Sequence, residues 1–394
     1  MRSAAGREID LAIVGGGPAG MSLALFLVAL DPSWSERLVV LERAHFPRDK
    51  ICAGAIAGRA LDRLAAIDAL PDVPHVEVRG LAAETPRGGS EVRGPERVGW
   101  VVRRLAFDAA LAALAARRGV RVQEGARVLG LVRTTAGVSI ALAEQPPLPV
   151  RAVVGADGVG SVVRRALGFG RGALFARAAE IDTETRAVDG SDDVLRFALL
   201  PAGIAGYAWD FPTPLDGGVA RSRGVYVLPR VGAAEADPAA LLGERLAARG
   251  GPRVLGPVRR FSERGFTPAA PAAVARALLV GEARGVDPVL GEGIAQAIEQ
   301  AAFAARYLHD AFRRDDLRFD DFDARAQRTR VGLDLELRAR AAPWVYGAAR
   351  SALERALCHP SLGRIGLAYF AGRPTARRDW ARAAGALVTS ATRS

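Results

Sequence analysis

Cysteine and histidine are scarce in this chain of 394 residues. The two cysteines, Cys52 and Cys358, cannot make a disulfide framework, and no C-x-x-C pair offers the spacing of a zinc site. The four histidines stand far apart in sequence, so neither a metal centre nor a Ser-His-Asp triad is supported. We therefore expect a protein of the reducing cytoplasm that binds no metal.

Lysine and aromatic residues are also few. Lys50 is the only lysine among 54 basic residues, and aromatic residues make up 6% of the chain. The net charge is +11, but the arginines are scattered without a run of five. Nucleic-acid binding needs clustered basic residues interleaved with stacking rings, so the composition argues against a nucleic-acid partner.

One long apolar stretch is present, but glycine and proline interrupt it. Residues 11–30 carry no charge, which is the length of a membrane span. A Gly-Gly-Gly-Pro run occupies 15–18, and the acidic Glu8 and Asp10 precede the stretch where a signal peptide has basic residues. A buried strand, a tight turn and a helix explain this segment better than a span does.

The turn itself fits the spacing G-x-G-x-x-G. Gly15 permits the tight turn, Gly17 lets the backbone approach a pyrophosphate, and Gly20 lets the helix pack on the strand. Glu42 follows at the end of the next predicted strand, where it can accept hydrogen bonds from an adenosine ribose. Glycine-rich turns alone are common, but the whole strand–turn–helix–strand–Glu unit predicts dinucleotide binding.

The order of apolar segments predicts an α/β fold, α+β overall, with a discontinuous first domain. Strands at 10–14, 38–41 and 152–155 alternate with helices, and a further buried strand at 278–281 follows a stretch typical of an antiparallel sheet. The predicted units are a Rossmann-like domain (1–75, 103–168 and 276–325), an inserted antiparallel-sheet substrate domain (76–102 and 169–275) and a helical C-terminal region (326–394).

Four ordered segments share a family pattern: the glycine turn with Glu42-Arg43, R-x-x-F-D at 104–108, G-A-D-G-x-x-S-x-x-R at 155–164, and G-E-A followed by D-P-x-x-G-E-G at 281–293. The chain resembles the FAD-dependent oxidoreductases of the para-hydroxybenzoate hydroxylase type. The resemblance implies that the Rossmann-like domain binds FAD non-covalently through Gly15, Gly17, Pro18, Ala19, Gly20, Glu42, Arg43, Lys50, Arg104, Asp157, Gly158, Gly281, Glu282, Asp287, Pro288, Gly291, Gly293 and Ile294.

Parts of this pattern have structural alternatives. Arg103 competes with Arg104 for the cofactor role, and Asp157-Gly158 could be a plain turn after a strand. Glu282 stands where the family has Asp, which adds a methylene to a predicted ribityl contact. The helix that opens after Gly291 could stabilise the negative charge of reduced flavin with its N–H groups.

Two further segments resemble the geranylgeranyl reductase-like branch of that family: P-x-x-K-x-C-x-G at 47–54 and G-Y-x-W-x-F-P at 206–212. Tyr207, Trp209 and Phe211 either wall a pocket for a hydrophobic substrate or fill the core between domains. The catalytic candidates are Cys52 and Tyr207, although Cys52 could equally be a small buried hydrophobe. Flavin halogenases share a similar motif but need an active-site lysine, and the only lysine lies in the cofactor loop.

The resemblance implies an FAD-dependent oxidoreductase that uses NAD(P)H on a hydrophobic small molecule. Double-bond reduction is the favoured reaction, and O₂-dependent monooxygenation of an aromatic or polycyclic substrate is the alternative. NAD(P)H is expected as a transient reductant because no second G-x-G-x-x-G occurs. Membrane contact is expected to be at most peripheral. The aromatic residues of the Arg-rich tail suit either a membrane surface or, as favoured, helix packing: Trp344, Tyr346, Tyr369 and Phe370.

Overall fold

The computed structural model describes residues 9–170, 172, 175–215, 217–229 and 236–388. The strands are β1 (Leu11–Val14), β2 (Leu38–Leu41), β3 (Ala55–Ala57), β4 (His75–Val78), β5 (Gly80–Thr85), β6 (Gly88–Arg93), β7 (Gly99–Val102), β8 (Arg121–Gln123), β9 (Val128–Arg133), β10 (Val138–Leu142), β11 (Gln145–Val150), β12 (Ala152–Gly155), β13 (Phe175–Thr183), β14 (Val194–Leu199), β15 (Gly206–Leu215), β16 (Gly218–Val227), β17 (Arg259–Arg264), β18 (Ala273–Val274) and β19 (Ala277–Leu279). The helices are α1 (Pro18–Leu30), α2 (Trp34–Arg37), α3 (Gly58–Ala65), α4 (Arg104–Arg117), α5 (Val162–Ala166), α6 (Pro238–Ala248), α7 (Ile294–Arg313), α8 (Phe322–Gln327), α9 (Arg330–Val345), α10 (Arg350–Leu357), α11 (Pro360–Ala371) and α12 (Arg377–Val388).

A six-stranded sheet forms the first layer, in the order β18-β19-β12-β1-β2-β8. All neighbours run parallel except β18, which pairs antiparallel with β19. β1, β2 and β12 are buried along their whole length, as expected for parallel strands covered on both faces. Because β19 pairs with β12 across a long insertion, the α/β fold with an interrupted first sheet is confirmed.

Helix α1 explains the long uncharged stretch of the sequence. Pro18 occupies its first turn, where a missing N–H costs nothing, and residues from Pro18 to Val28 are buried. A helix that is buried all round needs apolar residues on every side. The uncharged stretch therefore contains a helix that is buried in the protein interior.

A seven-stranded sheet forms the second layer, in the order β17-β13-β16-β15-β14-β5-β6. Its pairs are antiparallel, except that β14 and β5 run parallel. The two ten-residue strands β15 and β16 pair along their whole length, with Tyr207 opposite Tyr226 and Trp209 opposite Gly224. We call the side of this sheet that carries Tyr207, Trp209 and Tyr226 the near face.

The predicted segment 76–102 is divided between two sheets. Strands β5 and β6 join the edge of the seven-stranded sheet, whereas β4 and β3 pair with the two sides of β7 in a separate three-stranded sheet. Another small antiparallel sheet contains β9, β10 and β11.

The C-terminal region is helical up to Val388; the remainder of the predicted range, 389–394, lies outside the described residues. Helix α11 packs on β5, β6 and α3, and Tyr346, the residue after α9, belongs to the hydrophobic core of the near face. Tyr369 and Phe370 are half-buried, but Trp344 is 62% exposed. Within the described part of the chain, no helix has both the length and the apolar character to cross a membrane.

Candidate active site

The turn after β1 has two glycines that packing requires. Gly15 has φ +106, and a Cβ atom there would lie 2.4 Å from the Ala156 carbonyl oxygen. A Cβ at Gly20 would lie 1.9 Å from the Gly15 carbonyl oxygen. These distances are below any real contact, so glycine lets the turn, α1 and β12 approach one another.

Gly17 differs from Gly15 and Gly20 because its Cβ position has no close neighbour. Its Cβ position meets only the guanidinium nitrogens of Arg104 and Arg48, at 3.8 and 3.9 Å. Gly17 is the N-cap of α1 and no side chain caps this helix start. Two cations beside a helix N-terminus make an anion site, which fits the pyrophosphate of FAD. Pro18 and Ala19 form the first turn of that helix.

Asp108 holds the guanidinium groups of Arg104 and Arg48 in place. Its carboxylate accepts from Nε and Nη2 of Arg104 at 2.7 and 2.6 Å and from Nη1 of Arg48 at 2.8 Å. Asp108 is fully buried, so the two guanidinium groups are held in place by charge-assisted hydrogen bonds. Arg103 instead forms a two-bond pair with Asp182, which assigns the position beside Gly17 to Arg104.

Glu42 lies at the end of β2, and both of its carboxylate oxygens accept hydrogen bonds. Oε2 accepts from the Gly16 N–H at 2.9 Å, and Oε1 accepts from the Ala44 N–H at 3.0 Å. Arg48 adds a contact to Oε2 at 3.2 Å. The next residue, Arg43, is exposed. Glu42 therefore ties the glycine turn to the loop in which Arg48 lies.

Asp157 uses its carboxylate to start helix α5. Oδ1 accepts from the Ser161 hydroxyl at 2.5 Å, and Oδ2 accepts from the N–H groups of Val162 and Val163 at 2.6 and 3.2 Å. Burial raises the pKa of this carboxyl. The geometry gives Asp157 a positioning role for the loop, with Gly158 beside it at φ +73.

Two predicted cofactor residues from distant segments meet as an ion pair. The Lys50 Nζ donates to Glu282 Oε2 at 3.1 Å across the cofactor loop. Gly281, at φ +60, lies against Ala19, whose Cβ would be 2.7 Å from a Cβ at position 281. The G-E-A segment therefore packs on α1 and closes the same site from its other side.

The segment 287–293 is held in place by the C-terminal region. Asp287 is fully buried; its Oδ2 accepts from Arg338 Nη1 of α9 at 2.5 Å, and its Oδ1 from the Val289 N–H at 2.7 Å. Burial raises the pKa of Asp287, and the charge of Arg338 opposes that rise. Beyond Pro288 and Gly291 of this segment, α7 starts at Ile294, with Gly293 as an N-cap that no side chain caps.

Three tyrosine hydroxyls hold the main chain of the same segment. Tyr207 donates to the Leu290 carbonyl, Tyr346 donates to the Val289 carbonyl at 2.6 Å, and Tyr226 donates to the Pro288 carbonyl at 3.3 Å. Burial raises the pKa of Tyr207 and of Tyr226 well above the usual value, so both hydroxyls keep their protons. The hydroxyl proton of Tyr207 is therefore already donated in a hydrogen bond to a carbonyl oxygen.

The near face continues as an aromatic surface. Tyr207 stacks on Tyr226 with centroids 5.3 Å apart, and Trp209 lies over Gly224, where a Cβ would come within 2.0 Å of its ring. Phe211 meets Phe197 edge-on at 5.1 Å. The three predicted substrate residues therefore share one wall, which is also part of a hydrophobic core.

Cys52 is half-buried near this wall. Its Sγ lies 3.5 Å from the Gly54 N–H, and burial raises the pKa of the thiol. A raised pKa keeps the uncharged thiol, which is a poor nucleophile.

Arg48, Arg338 and Glu263 were not identified from the sequence. Glu263 is a residue of β17, and its carboxyl lies close to Gly291. Arg48 lies inside the P-x-x-K loop, so its place in the motif was the available signal. Nothing in the sequence separates Arg338 from the other arginines. Within the described residues, no cluster of three metal-ligating side chains occurs.

Known proteins are similar to this chain in sequence. A family model of an FAD binding domain matches residues 8–199. A digeranylgeranylglycerophospholipid reductase of Methanothrix thermoacetophila is 30% identical over 351 residues, covering 83% of this chain and 84% of the relative.

Solved structures share the fold at low identity. A geranylgeranyl bacteriochlorophyll reductase-like protein from Thermoplasma acidophilum superposes with a TM-score of 0.68 at 19% identity, covering 95% of each chain. A variant of the halogenase PltM in complex with FAD gives a TM-score of 0.70 at 16% identity, covering 92% of this chain and 82% of the halogenase. The chain therefore belongs to the FAD-dependent oxidoreductases of the para-hydroxybenzoate hydroxylase type, in their geranylgeranyl reductase-like branch.

Proposed function

We propose that the protein reduces a carbon–carbon double bond of a hydrophobic, prenyl-type lipid, with NAD(P)H as the transient reductant. The observation that carries the proposal is the aromatic wall of Tyr207, Trp209 and Phe211 beside segment 287–293. Large flat apolar side chains bind prenyl groups by burial without needing a charged partner. The relative at 30% identity is named for reduction of a digeranylgeranyl lipid, which supports the same class of substrate.

The protein's own residues would bind and orient the cofactor. Arg48 and Arg104 lie beside Gly17, where the pyrophosphate is expected. Glu42 lies where the adenosine ribose is expected, and Glu282 lies in the segment expected to contact the flavin. FAD supplies the hydride chemistry when bound. The tyrosines that hold residues 288–290 would fix the backbone at the expected flavin position.

Product analysis tests this proposal directly. The purified, yellow protein is incubated under argon with NADH or NADPH and a geranylgeranyl-containing phospholipid or a menaquinone, and the products are measured by mass spectrometry. A gain of two hydrogens without oxygen is the expected result. If turnover requires O₂ and one labelled oxygen atom enters the product, the protein is a monooxygenase and the proposal is wrong.

We also propose that contact with a lipid surface is peripheral and involves α9. Leu333, Leu337 and Trp344 lie on one side of this helix with exposures of 60, 68 and 62%. Residues 326–388 contain eleven arginines against four acidic residues, which favours an anionic bilayer as the partner. Sedimentation with anionic vesicles should be lost in Trp344→Ala. Equal sedimentation of the variant and the parent would contradict this contact.

A further inference from the structure

Glu263 lies on the near face at the edge of the aromatic wall. Across the sheet, Glu263 pairs with Ala176, two residues from Ala178, which is opposite Tyr226. Glu263 therefore points to the same side as Tyr226 and Tyr207. Its two carboxyl oxygens lie 3.2 and 3.3 Å from the position of a Cβ at Gly291, so the carboxyl faces the segment that the family pattern assigns to the flavin.

The Glu263 carboxyl differs from the other acids of the site in its contacts to the described residues. Its Oε1 is buried without a hydrogen bond, and among the described residues no ion pair to it is found. Glu42, Asp108, Asp157 and Asp287 each accept several hydrogen bonds. A buried carboxyl oxygen without a hydrogen bond is costly, and in the half-buried Glu263 this oxygen lies against the segment expected to contact the flavin.

The surrounding charges keep a proton on this carboxyl. Burial raises the pKa of Glu263 well above its usual value, and the like charges of Glu282 and Asp287 raise it further, while Lys50 acts in the opposite direction. Tyr226 and Tyr207 also face Glu263 and keep their protons, but their hydroxyls donate to main-chain carbonyls. On this part of the near face, Glu263 holds a proton with no acceptor in the described structure.

We infer that Glu263 is the catalytic acid that protonates the substrate double bond, an inference that rests on the proposed reduction. In the balanced step the π bond breaks and two C–H bonds form. One hydrogen arrives with its electron pair as hydride from the NAD(P)H-reduced cofactor, and the other arrives as a proton when the Glu263 O–H bond breaks. The carboxylate left on Glu263 is then reprotonated from solvent.

The test uses the isosteric variant Glu263→Gln in the FAD-containing protein, with Glu91→Gln on edge strand β6 as a matched control. The first readout is the absorption spectrum of the oxidised flavin against pH. The wild-type protein and the control should show a spectral step as Glu263 ionises, and the Glu263→Gln variant should lack it. If the step persists in Glu263→Gln, the carboxyl does not face the flavin and the inference is wrong.

The second readout separates the two half-reactions under argon. Reduction of the flavin by NAD(P)H should be unchanged in Glu263→Gln, because that step needs no substrate proton. Reoxidation by the prenyl lipid should slow by about 100-fold or more, as for loss of a general acid, and Glu263→Asp should recover part of it. Wild-type reoxidation should fall as pH rises through the raised pKa, because only the protonated carboxyl donates.

The outcomes distinguish the inference from the proposed function. If the prenyl lipid does not reoxidise the wild-type flavin, the proposed function fails, and with it the role as acid to that substrate. If wild-type protein is reoxidised and Glu263→Gln is reoxidised equally fast, the reduction stands and Glu263 is not its acid.

Discussion

The six-stranded and the seven-stranded sheets contribute to the site in different ways. Around the first sheet, the expected cofactor position is bordered by main chain: the turn at Gly15, the helix start at Gly17 and the close packing at Gly20. Along the second sheet, the expected position is bordered by side chains of separate strands, such as Tyr207, Tyr226 and Glu263. Binding by the main chain requires positions without a Cβ atom. Binding by side chains requires the strand register that brings residues from distant parts of the sequence together.

This difference predicts the largest effect for a pair of glycine substitutions. Gly20→Ala places a methyl group 1.9 Å from the Gly15 carbonyl oxygen, and we expect it to destabilise the fold by about 3 kcal/mol or more. Gly17→Ala meets only two guanidinium groups near 3.8 Å, so its stability should change by less than about 0.5 kcal/mol. FAD affinity of Gly17→Ala should nevertheless fall roughly tenfold or more.

Chemical denaturation and FAD titration measure the two effects separately. Recovery of both variants with parental stability and parental FAD affinity would show that neither glycine is used as the geometry indicates.

The same difference explains what could be predicted from sequence. The glycine turn, Glu42 and the G-E-A segment belong to contiguous motifs, so they can be recognised in the sequence by pattern and resemblance. Glu263 and Tyr226 come together only through the order of strands in the sheet. The division of 76–102 between two sheets is likewise a matter of strand pairing, which local periodicity does not encode.

The next large effect concerns the ion pair between Asp287 and Arg338 of the C-terminal region. Arg338→Met leaves a fully buried carboxyl without its cation, and removing one partner of such a pair costs about 3–5 kcal/mol. FAD retention should fall, and more steeply at higher pH, because Asp287 can then avoid an unpaired charge only by protonation. The control is Arg340→Met, whose side chain is 71% exposed and pairs with Glu336 on the surface.

Thermal unfolding and the amount of FAD released, both measured at several pH values, test this prediction. Equal behaviour of Arg338→Met and Arg340→Met would show that the ion pair of Arg338 with Asp287 does not support FAD binding.

A pH-dependent effect is expected from Glu180 on β13. The carboxylate pairs with Arg259 at 2.8 Å, but burial raises the pKa of Glu180 to about 7. Since the folded protein then holds this proton more tightly than the unfolded chain, the contribution to stability is full below the unfolded pKa. It is lost as pH rises through about 7.

Glu180→Gln should therefore flatten the pH dependence of stability, with a difference from wild type of up to about 3 kcal/mol between acid and neutral pH. Urea denaturation at a series of pH values measures it. Parallel pH profiles for the two proteins would contradict the raised pKa.

The smallest effect is expected from Tyr207→Phe, and it sharpens the comparison between the two sheets. In the structure the Tyr207 hydroxyl donates to the Leu290 carbonyl, so the ring forms the wall while the hydroxyl steadies the main chain. Loss of that hydrogen bond costs about 1 kcal/mol, and we expect turnover to fall by less than about tenfold. A catalytic acid would instead lose about 100-fold or more. Tyr226→Phe, which removes the neighbouring bond to Pro288, serves as the matched control. Steady-state turnover of both variants decides between the roles: a large loss confined to Tyr207→Phe would make this hydroxyl, rather than Glu263, the proton donor.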